Sequence, residues 1–240
     1  MRTTLRWTLR MGLVLASGLA GVGHAAAAAS SETSLAITIH VVNYAGVAPK
    51  TLTEAEEVAT GIFRKAGVET RWADTVLSAE NDQENSAGDA APTLADIQLS
   101  IFPREMSDRI GLASDAMGLA PGTGSDRRIV YVFDSTVETL FWRLVRAHCS
   151  GRMGRPVSKA QILGRAIAHE VGHLLLNQQL HSAHGIMRGG WGVAEMRDAT
   201  YGKLLFTPQQ AEVLRADVRR RNTRQEIFNL AEVGSPASSN

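Results

Sequence analysis

Cysteine, aromatic side chains and net charge are all scarce in this sequence. Cys149 is the only cysteine, so no disulfide can form within the chain, and it is expected to be a buried or partly buried structural thiol. Aromatic residues make up 5% of the sequence and the formal net charge is +1. A nucleic-acid surface needs a basic domain with interleaved aromatic residues, so nucleic acid is not expected as a partner. The arginine run at 219–221 is interpreted as a solvated helix end.

Long apolar runs are also scarce, and the one at the amino terminus is short. Residues 11–22 are mostly apolar, three arginines precede them, and a stretch of alanines reaches residue 29. This is the pattern of a secretory signal peptide, and its apolar core is too short for a membrane span. The sequence therefore predicts a signal peptide over residues 1–29, export to the periplasm or the medium, and no stable membrane association once the peptide is removed.

The remainder of the chain is long enough for one domain that buries its own core. We expect this domain over residues 34–232, a polar surface insertion over residues 74–92 and a disordered tail over residues 233–240. Alternating apolar residues and β-branched runs predict strands. The predicted strands are 35–44, 68–73, 96–102 and 128–133, with a weaker edge strand within 111–119.

Helices are predicted from apolar spacing and from start signals. The first, 51–66, is expected to be capped by Thr51 or Thr53, with acidic residues in its first turns. A second helix is expected over 137–148. Ser158 and Gln161 have the spacing of a capping box before an apolar helix that continues through residue 176. In the last helix, Thr207 is the expected cap and Pro208 opens the first turn, with Ala211, Val213, Leu214 and Val218 directed inward.

The most informative segment reads His-Glu-Val-Gly-His from residue 169 to residue 173. Residues four apart lie on one face of a helix, so the imidazoles of His169 and His173 can bind one metal ion from the same side. Glu170 lies beside them and is well placed to accept a proton from a water bound to that metal. The motif predicts metal-assisted hydrolysis, with Glu170 as the general base.

A catalytic zinc site usually has three protein ligands, and the third is predicted to be His181. If the helix continued to residue 181, His181 would lie about 12 Å beyond His173 along the axis, too far to share one ion. The helix must therefore end first, and Asn177 is a suitable residue for the left-handed conformation that ends helices. His184 is an alternative ligand, and a second alternative is Glu195, which follows the turn-rich sequence 189–192.

These residues carry a resemblance to a known family. A resemblance to the metzincin clan of zinc metallopeptidases is carried by the His-Glu-x-x-His motif, the histidine that follows it and the Gly-Ile-Met sequence at 185–187. The longer stretch 169–188 is similar to bacterial secreted or periplasmic metzincin-like proteins. Leu176 and Gln179 stand where the clan has glycine and histidine, so the spacing to the third histidine is two residues longer. By this resemblance, Met187 would lie in the turn beneath the metal.

The resemblance implies an α+β fold: a twisted mixed sheet of four to five strands with an early helix, a metal-binding helix, the methionine turn and a C-terminal helix. It implies a zinc-dependent endopeptidase, with zinc held by His169, His173 and His181 and a peptide or protein as substrate. Tyr201 and His184 are candidates for stabilising the oxyanion, and Trp191 is a candidate for a specificity pocket. The alternatives are a catalytically silent fold that binds a peptide or cell-wall component, hydrolysis of a non-peptide amide, and a gluzincin-type peptidase with Glu195 as third ligand.

Overall fold

The computed structural model describes residues 35–74, 95–103, 105–106, 109, 116–122 and 126–233, with the backbone alone at residues 74, 226 and 228–233. The predicted signal peptide, all but the first residue of the predicted surface insertion and residues 234–240 lie outside the described residues. None of the described helices combines the length and apolarity needed to cross a membrane.

Five strands form one mixed sheet. They are β1 (Ala36–Asn43), β2 (Glu69–Asp74), β3 (Asp96–Phe102), β4 (Gly118–Leu119) and β5 (Ile129–Phe133). The order in the sheet is β2-β1-β3-β5-β4. Strands β2, β1, β3 and β5 are parallel, and β4 is antiparallel to β5, with Gly118 opposite Val132 and Leu119 opposite Tyr131. The predicted mixed sheet is confirmed, and Gly118 and Leu119 form its edge strand.

Five helices follow or separate these strands among the described residues. They are α1 (Pro49–Lys65), α2 (Asp134–Cys149), α3 (Lys159–Leu175), α4 (Val193–Thr200) and α5 (Pro208–Val233). The predicted early helix, metal-binding helix and C-terminal helix are present, so the α+β fold is confirmed. The helix α4, which directly follows the turn-rich sequence 189–192, was not predicted.

The core lies between the sheet and the helices α1 and α3. Alternate strand residues such as Ile39, Leu99 and Val132 are fully buried there. Along α3, fourteen of seventeen residues are buried, because the helix packs against α1, α2 and β5. At Gly164 an added methyl group would collide with the carbonyl oxygen of Ala55, so a glycine at this position lets α3 approach α1 closely. This packing fixes the helix that carries the motif.

The helix starts were predicted with mixed success. Ser158 and Gln161 form a reciprocal capping box at α3, with Gln161 N donating to Ser158 Oγ at 3.1 Å. Thr207 likewise accepts from Gln210 N at the start of α5. The predicted caps Thr51 and Thr53 are wrong, because α1 begins at Pro49, whose fixed φ suits a first helical turn and whose missing N–H needs no partner.

Three predictions about single side chains are also wrong. The arginines 219–221 lie within α5 rather than at its end, and although Arg219 is exposed as expected, Arg221 is only 1% exposed. The burial of Arg221 is tolerated because Asp217 and a backbone carbonyl accept its hydrogen bonds. Val213 is exposed on the outer face of α5, whereas Ala211, Leu214 and Val218 are buried as expected. Cys149 is exposed, because it lies at the last turn of α2.

Candidate metal centre

Helix α3 brings the two motif histidines together. The Nε2 atoms of His169 and His173 are 3.0 Å apart, and their ring planes are nearly perpendicular, with centroids separated by 4.6 Å. Both side chains are buried. The i, i+4 spacing on a helix thus has the consequence expected from the sequence: two imidazole nitrogens face one point.

Backbone carbonyls hold the opposite edge of each ring. His169 Nδ1 donates to the carbonyl of Ile186 at 2.7 Å, and His173 Nδ1 donates to the carbonyl of Gln178 at 2.8 Å. Because a carbonyl can only accept, the proton of each neutral ring is on Nδ1 and the lone pair is on Nε2. Hydrogen bonds of this kind orient metal-binding histidines and fix their tautomer.

His181 is the third histidine that the fold brings to this point. Helix α3 ends at Leu175, and Asn177 then adopts a left-handed conformation with φ of 51°, which turns the chain back. The ring of His181 lies 5.2 Å from that of His169 and 5.0 Å from that of His173. One nitrogen from each of the three histidines lies within 4.8 Å of the others. His181 itself is exposed to solvent.

The two alternative ligands lie apart from this cluster. His184 is exposed and is not part of the group of three histidines. Glu195 lies in the first turn of α4, where its carboxylate accepts from Gly192 N at 2.9 Å and pairs with Arg188 at 2.8 Å. The Gly192 hydrogen bond, the largest cause, together with Arg188, keeps the pKa of Glu195 below its ordinary value. Its carboxylate therefore caps α4.

Glu170 is buried between α3 and the edge strand. Its Cγ and Cδ atoms lie where a side chain at Gly118 would begin, so the close approach of strand and carboxylate requires a glycine. Burial raises the pKa of Glu170 to about 8. The carboxyl group is thus held in a dry environment beside the histidine cluster, where the charged form needs a compensating positive charge.

Burial has the opposite effect on the two helical histidines. It lowers the pKa of His169 to about 4, and it also lowers the pKa of His173. Both rings are therefore neutral at pH 7, which is the form that binds metals. The neutral rings and the dry carboxyl group have one physical cause, the burial of α3.

Two large side chains pack around the ligand cluster. Met187 is buried, and its Sδ atom lies 2.6 Å from where a Cβ atom on Gly172 would lie, so the motif glycine makes room for it. Trp191 is 5% exposed and its ring meets that of His169 edge-on at 5.4 Å. Trp191 is thus a core residue that also contacts the site, and Met187 packs beneath the metal-binding helix.

Three other residues concern the surroundings of the site: Tyr201, which the sequence suggested, and two glycines, which it did not. Tyr201 is exposed and lies beneath the guanidinium of Arg155. Sequence reasoning missed Gly118, which contacts Glu170, and Gly189, whose added Cβ would lie 2.9 Å from two atoms of the His181 ring. Gly118 is 52 positions before Glu170. Local patterns carry no signal for contacts across such distances.

The donor set fits a zinc ion. In a tetrahedral site with zinc–nitrogen bonds of about 2.0–2.1 Å, two ligand atoms lie about 3.3 Å apart. The Nε2 atoms of His169 and His173, 3.0 Å apart, are close to that spacing. Three imidazole ligands leave a fourth position for a water molecule or a substrate, as in catalytic zinc sites.

No protein-family model matches this chain, and no curated protein sequence matches it. Among solved structures, a zinc-dependent peptidase from Methanocorpusculum labreanum is similar to it, with a TM-score of 0.44 and 14% sequence identity over 73% of this chain and 99% of that one. An archaemetzincin from Methanopyrus kandleri gives a TM-score of 0.43 and 13% identity over 79% of this chain and 99% of that one. Both likenesses are too distant to carry an argument about function, which therefore rests on the site itself.

Proposed function

We propose that this protein is a zinc-dependent endopeptidase. The observation that carries the proposal is the convergence of one nitrogen each from His169, His173 and His181 beside the buried carboxyl group of Glu170. A bound zinc ion polarises a carbonyl group and lowers the pKa of a coordinated water toward about 7. A carboxylate next to such a site supplies the general base that hydrolysis requires.

The residues divide the work between binding and proton transfer. His169 and His173 would hold the zinc ion from the buried helix α3, where the carbonyls of Ile186 and Gln178 orient their rings. His181 would complete the ligand set from the loop. Glu170 must be ionised to accept a proton from the attacking water, and a positive charge held by the three histidines favours that form. Glu170 then delivers the proton to the departing amine.

The edge strand supplies a place for an extended peptide. Within the described residues β4 is the last strand in the sheet order, and its Gly118 contacts Glu170. An extended peptide that adds to a sheet edge is recognised through its backbone, and the side chains then select among sequences. A peptide aligned on β4 would pass beside Glu170, which supports a peptide rather than a small amide as the substrate.

A hydrolysis assay with metal control tests this function. The purified protein should bind zinc and cleave unfolded protein substrates, and a chelator should abolish cleavage. Glu170→Gln should lower the rate by about 10²–10⁴-fold, the usual contribution of general base catalysis, while zinc binding persists. A wild-type protein that binds zinc but cleaves nothing across a broad panel of peptides and amides would instead support the catalytically silent binding fold.

Membership of the metzincin clan and export remain proposals of their own. The methionine at residue 187, buried beneath α3, supports membership of the metzincin clan.

The amino-terminal pattern over residues 1–29 supports export, and a periplasmic or secreted location follows from it. Amino-terminal sequencing of the protein recovered from the periplasm and the medium tests export: a mature chain beginning near residue 30 is expected, and an intact chain found only in the cytoplasm would contradict it.

A further inference from the structure

Two side chains outside the proposed ligand set meet at the carboxyl end of α3. Arg127 donates from Nη2 to the carbonyl of His173 at 2.9 Å. From Nη1 it donates to the carbonyls of Ala120, at 2.9 Å, and Gly122, at 3.1 Å. One guanidinium group thus connects the last turn of the metal-binding helix to the residues that directly follow β4.

Gln179 reaches the same two carbonyls. Its Nε2 atom lies 2.9 Å from Ala120 O and 3.1 Å from Gly122 O. Gln179 precedes His181 by two residues, so its side chain connects the segment carrying the third histidine to the end of the edge strand. We call Arg127 and Gln179 the carbonyl clamp.

The clamp is supported from α5. Arg221, which is 1% exposed, donates from Nη1 to the carbonyl of Arg127 at 2.9 Å and from Nε to Asp217 Oδ2 at 2.6 Å. The backbone that carries the Arg127 side chain is therefore fixed by a buried, charge-assisted pair on the C-terminal helix. A buried arginine is costly unless its donors are satisfied, so this arrangement holds Arg127 in one place.

The segment that needs positioning lies directly after α3. It has left the helix at Asn177, and the His181 it carries is exposed, whereas the two helical ligands are buried and held by backbone carbonyls. Next to the helix the segment is held at Gln178, whose carbonyl accepts from His173 and whose N donates to the His173 carbonyl, and at Gln179, whose side chain enters the clamp. Beyond His181 it is held by Ser182 N, which donates to the carbonyl of Met187 at 2.8 Å.

We propose that Arg127 and Gln179 are positioning residues that hold the third histidine and the edge strand in one fixed arrangement relative to His173. The inference rests on the proposed function, because its consequence is the geometry of the zinc site and of the peptide beside it. Ligand and substrate would then be aligned by the same four hydrogen bonds to Ala120 and Gly122.

The neighbouring glutamines give a matched pair of variants. Gln179→Ala removes a clamp donor, whereas Gln178→Ala removes an exposed side chain and leaves intact the carbonyl that His173 uses. Loss of a group that orients a ligand typically weakens metal binding about 10–100-fold. We expect a loss of about tenfold in zinc affinity for Gln179→Ala, none for Gln178→Ala, and a changed visible spectrum only for the cobalt-loaded Gln179→Ala protein.

Arginine variants test the other half of the clamp. Arg127→Met should weaken zinc binding more than Gln179→Ala, because it also removes the shorter of the two hydrogen bonds that the His173 carbonyl accepts. Arg215→Met is the control, since Arg215 donates to the carbonyl of Ala66 at 2.9 Å, away from the site, and its loss should lower stability alone. Should Arg127→Met fail to fold, Arg127→Lys retains the charge without the forked contacts and should show the same defect in weaker form.

Hydrogen exchange in the metal-free protein tests the carbonyl clamp independently of the proposed function. Gln179→Ala should accelerate exchange in residues 118–122 and in residues 178–182 together, and Gln178→Ala in neither. Acceleration confined to 178–182, or a zinc affinity and cobalt spectrum equal to those of Gln178→Ala, would overturn the clamp. A wild-type protein that binds no zinc would overturn the proposed function instead, while the exchange comparison would still decide the clamp.

Discussion

The two sides of the histidine cluster are built on different physical principles. His169 and His173 come from a buried helix, 7% and 5% exposed, and each ring donates to a backbone carbonyl. His181 comes from a loop and is exposed to solvent. The helical side is fixed by packing, which acts over many residues at once, whereas the loop side depends on a few particular contacts.

This difference has a consequence for how the site tolerates change. A ligand fixed by core packing is part of the cooperative unit that unfolds only globally, while a loop segment can open locally at much lower free energy. The helical side should therefore respond to mutation by losing the whole site, and the loop side by losing accuracy of placement. Variants on each side of the cluster test that contrast.

Removal of single ligands should separate the two sides most clearly. If roughly 10–16 kcal/mol of zinc binding energy is divided among three or four ligands, each contributes about 2.5–5 kcal/mol. We expect His169→Ala to weaken zinc binding by roughly a thousandfold. His181→Ala should cost about 10–100-fold, because water can replace a ligand at an exposed position. Isothermal titration against a competing chelator measures both.

The variant His184→Ala is the control for this comparison, because His184 is exposed and lies outside the cluster. Its zinc affinity should equal that of the wild type. If His184→Ala instead lost more affinity than His181→Ala, the third ligand would be His184. If His169→Ala and His181→Ala lost equal affinity, the contrast between a packed side and a loop side would be contradicted.

The sequence predicted the helical side well and the loop side less completely. The capping box at Ser158, the apolar run and the i, i+4 histidines are local signals, and α3 has the expected start and buried face. Asn177 was identified as the residue that ends the helix, and its left-handed φ agrees. Local rules suffice here because a helix is made of contacts between residues three and four apart.

The contacts that position the loop side could not be predicted. Gln179 and Ala120 are 59 positions apart, and Arg127 and His173 are 46 apart, so no periodicity connects them. The arginines of α5 were predicted to be solvated for the same reason: the Arg127 carbonyl that accepts from Arg221 lies 94 positions away. Helix α4 was missed because its eight residues follow a glycine-rich turn and carry little apolar pattern.

The pH dependence of stability in the metal-free protein should reveal that the Glu170 carboxyl group is buried away from water. Burial raises the pKa of Glu170 from 4.5 to about 8, so the folded chain binds more protons than the unfolded chain between these values. The stability that Glu170 contributes is complete below about pH 4.5 and is lost as the pH rises through about 8. Glu170→Gln does not titrate, so with a chelator present it should be more stable than the wild type by a few kcal/mol at pH 9.

Urea unfolding at pH 5 and at pH 9 measures this difference. His169, whose pKa burial lowers to about 4, changes stability in the opposite direction, because protonation below its ordinary value of 6.5 opposes folding. That contribution is common to wild type and variant and cancels in their difference. A difference between Glu170→Gln and wild type that stayed constant with pH would show that Glu170 is not in a dry environment.

Gly189→Ala should disturb the loop side alone. The added Cβ would lie 2.9 Å from two atoms of the His181 ring, closer than a real Cβ contact, so the ring must move. We expect zinc affinity to fall about tenfold, or ~1.4 kcal/mol, with little change in unfolding free energy. Gly192→Ala is the matched control, because its Cβ meets only Glu195 at an ordinary 3.5 Å. Equal zinc affinity in both variants would show that His181 does not need that glycine.

The smallest expected effect concerns Asn177, where the packed side becomes the loop side. Its φ of 51° is the only positive value at a non-glycine residue in the described part of the chain. Alanine is disfavoured in that conformation by about 1–2 kcal/mol, whereas glycine adopts it freely. Asn177→Ala should therefore lower the unfolding free energy by about 1 kcal/mol, whereas Asn177→Gly should leave it nearly unchanged. Gln178 does not have a positive φ, so Gln178→Ala should change the unfolding free energy by less than about 0.5 kcal/mol. Equal losses in the alanine and glycine variants would assign the effect to the amide side chain of Asn177 and not to the backbone turn that directs the chain toward His181.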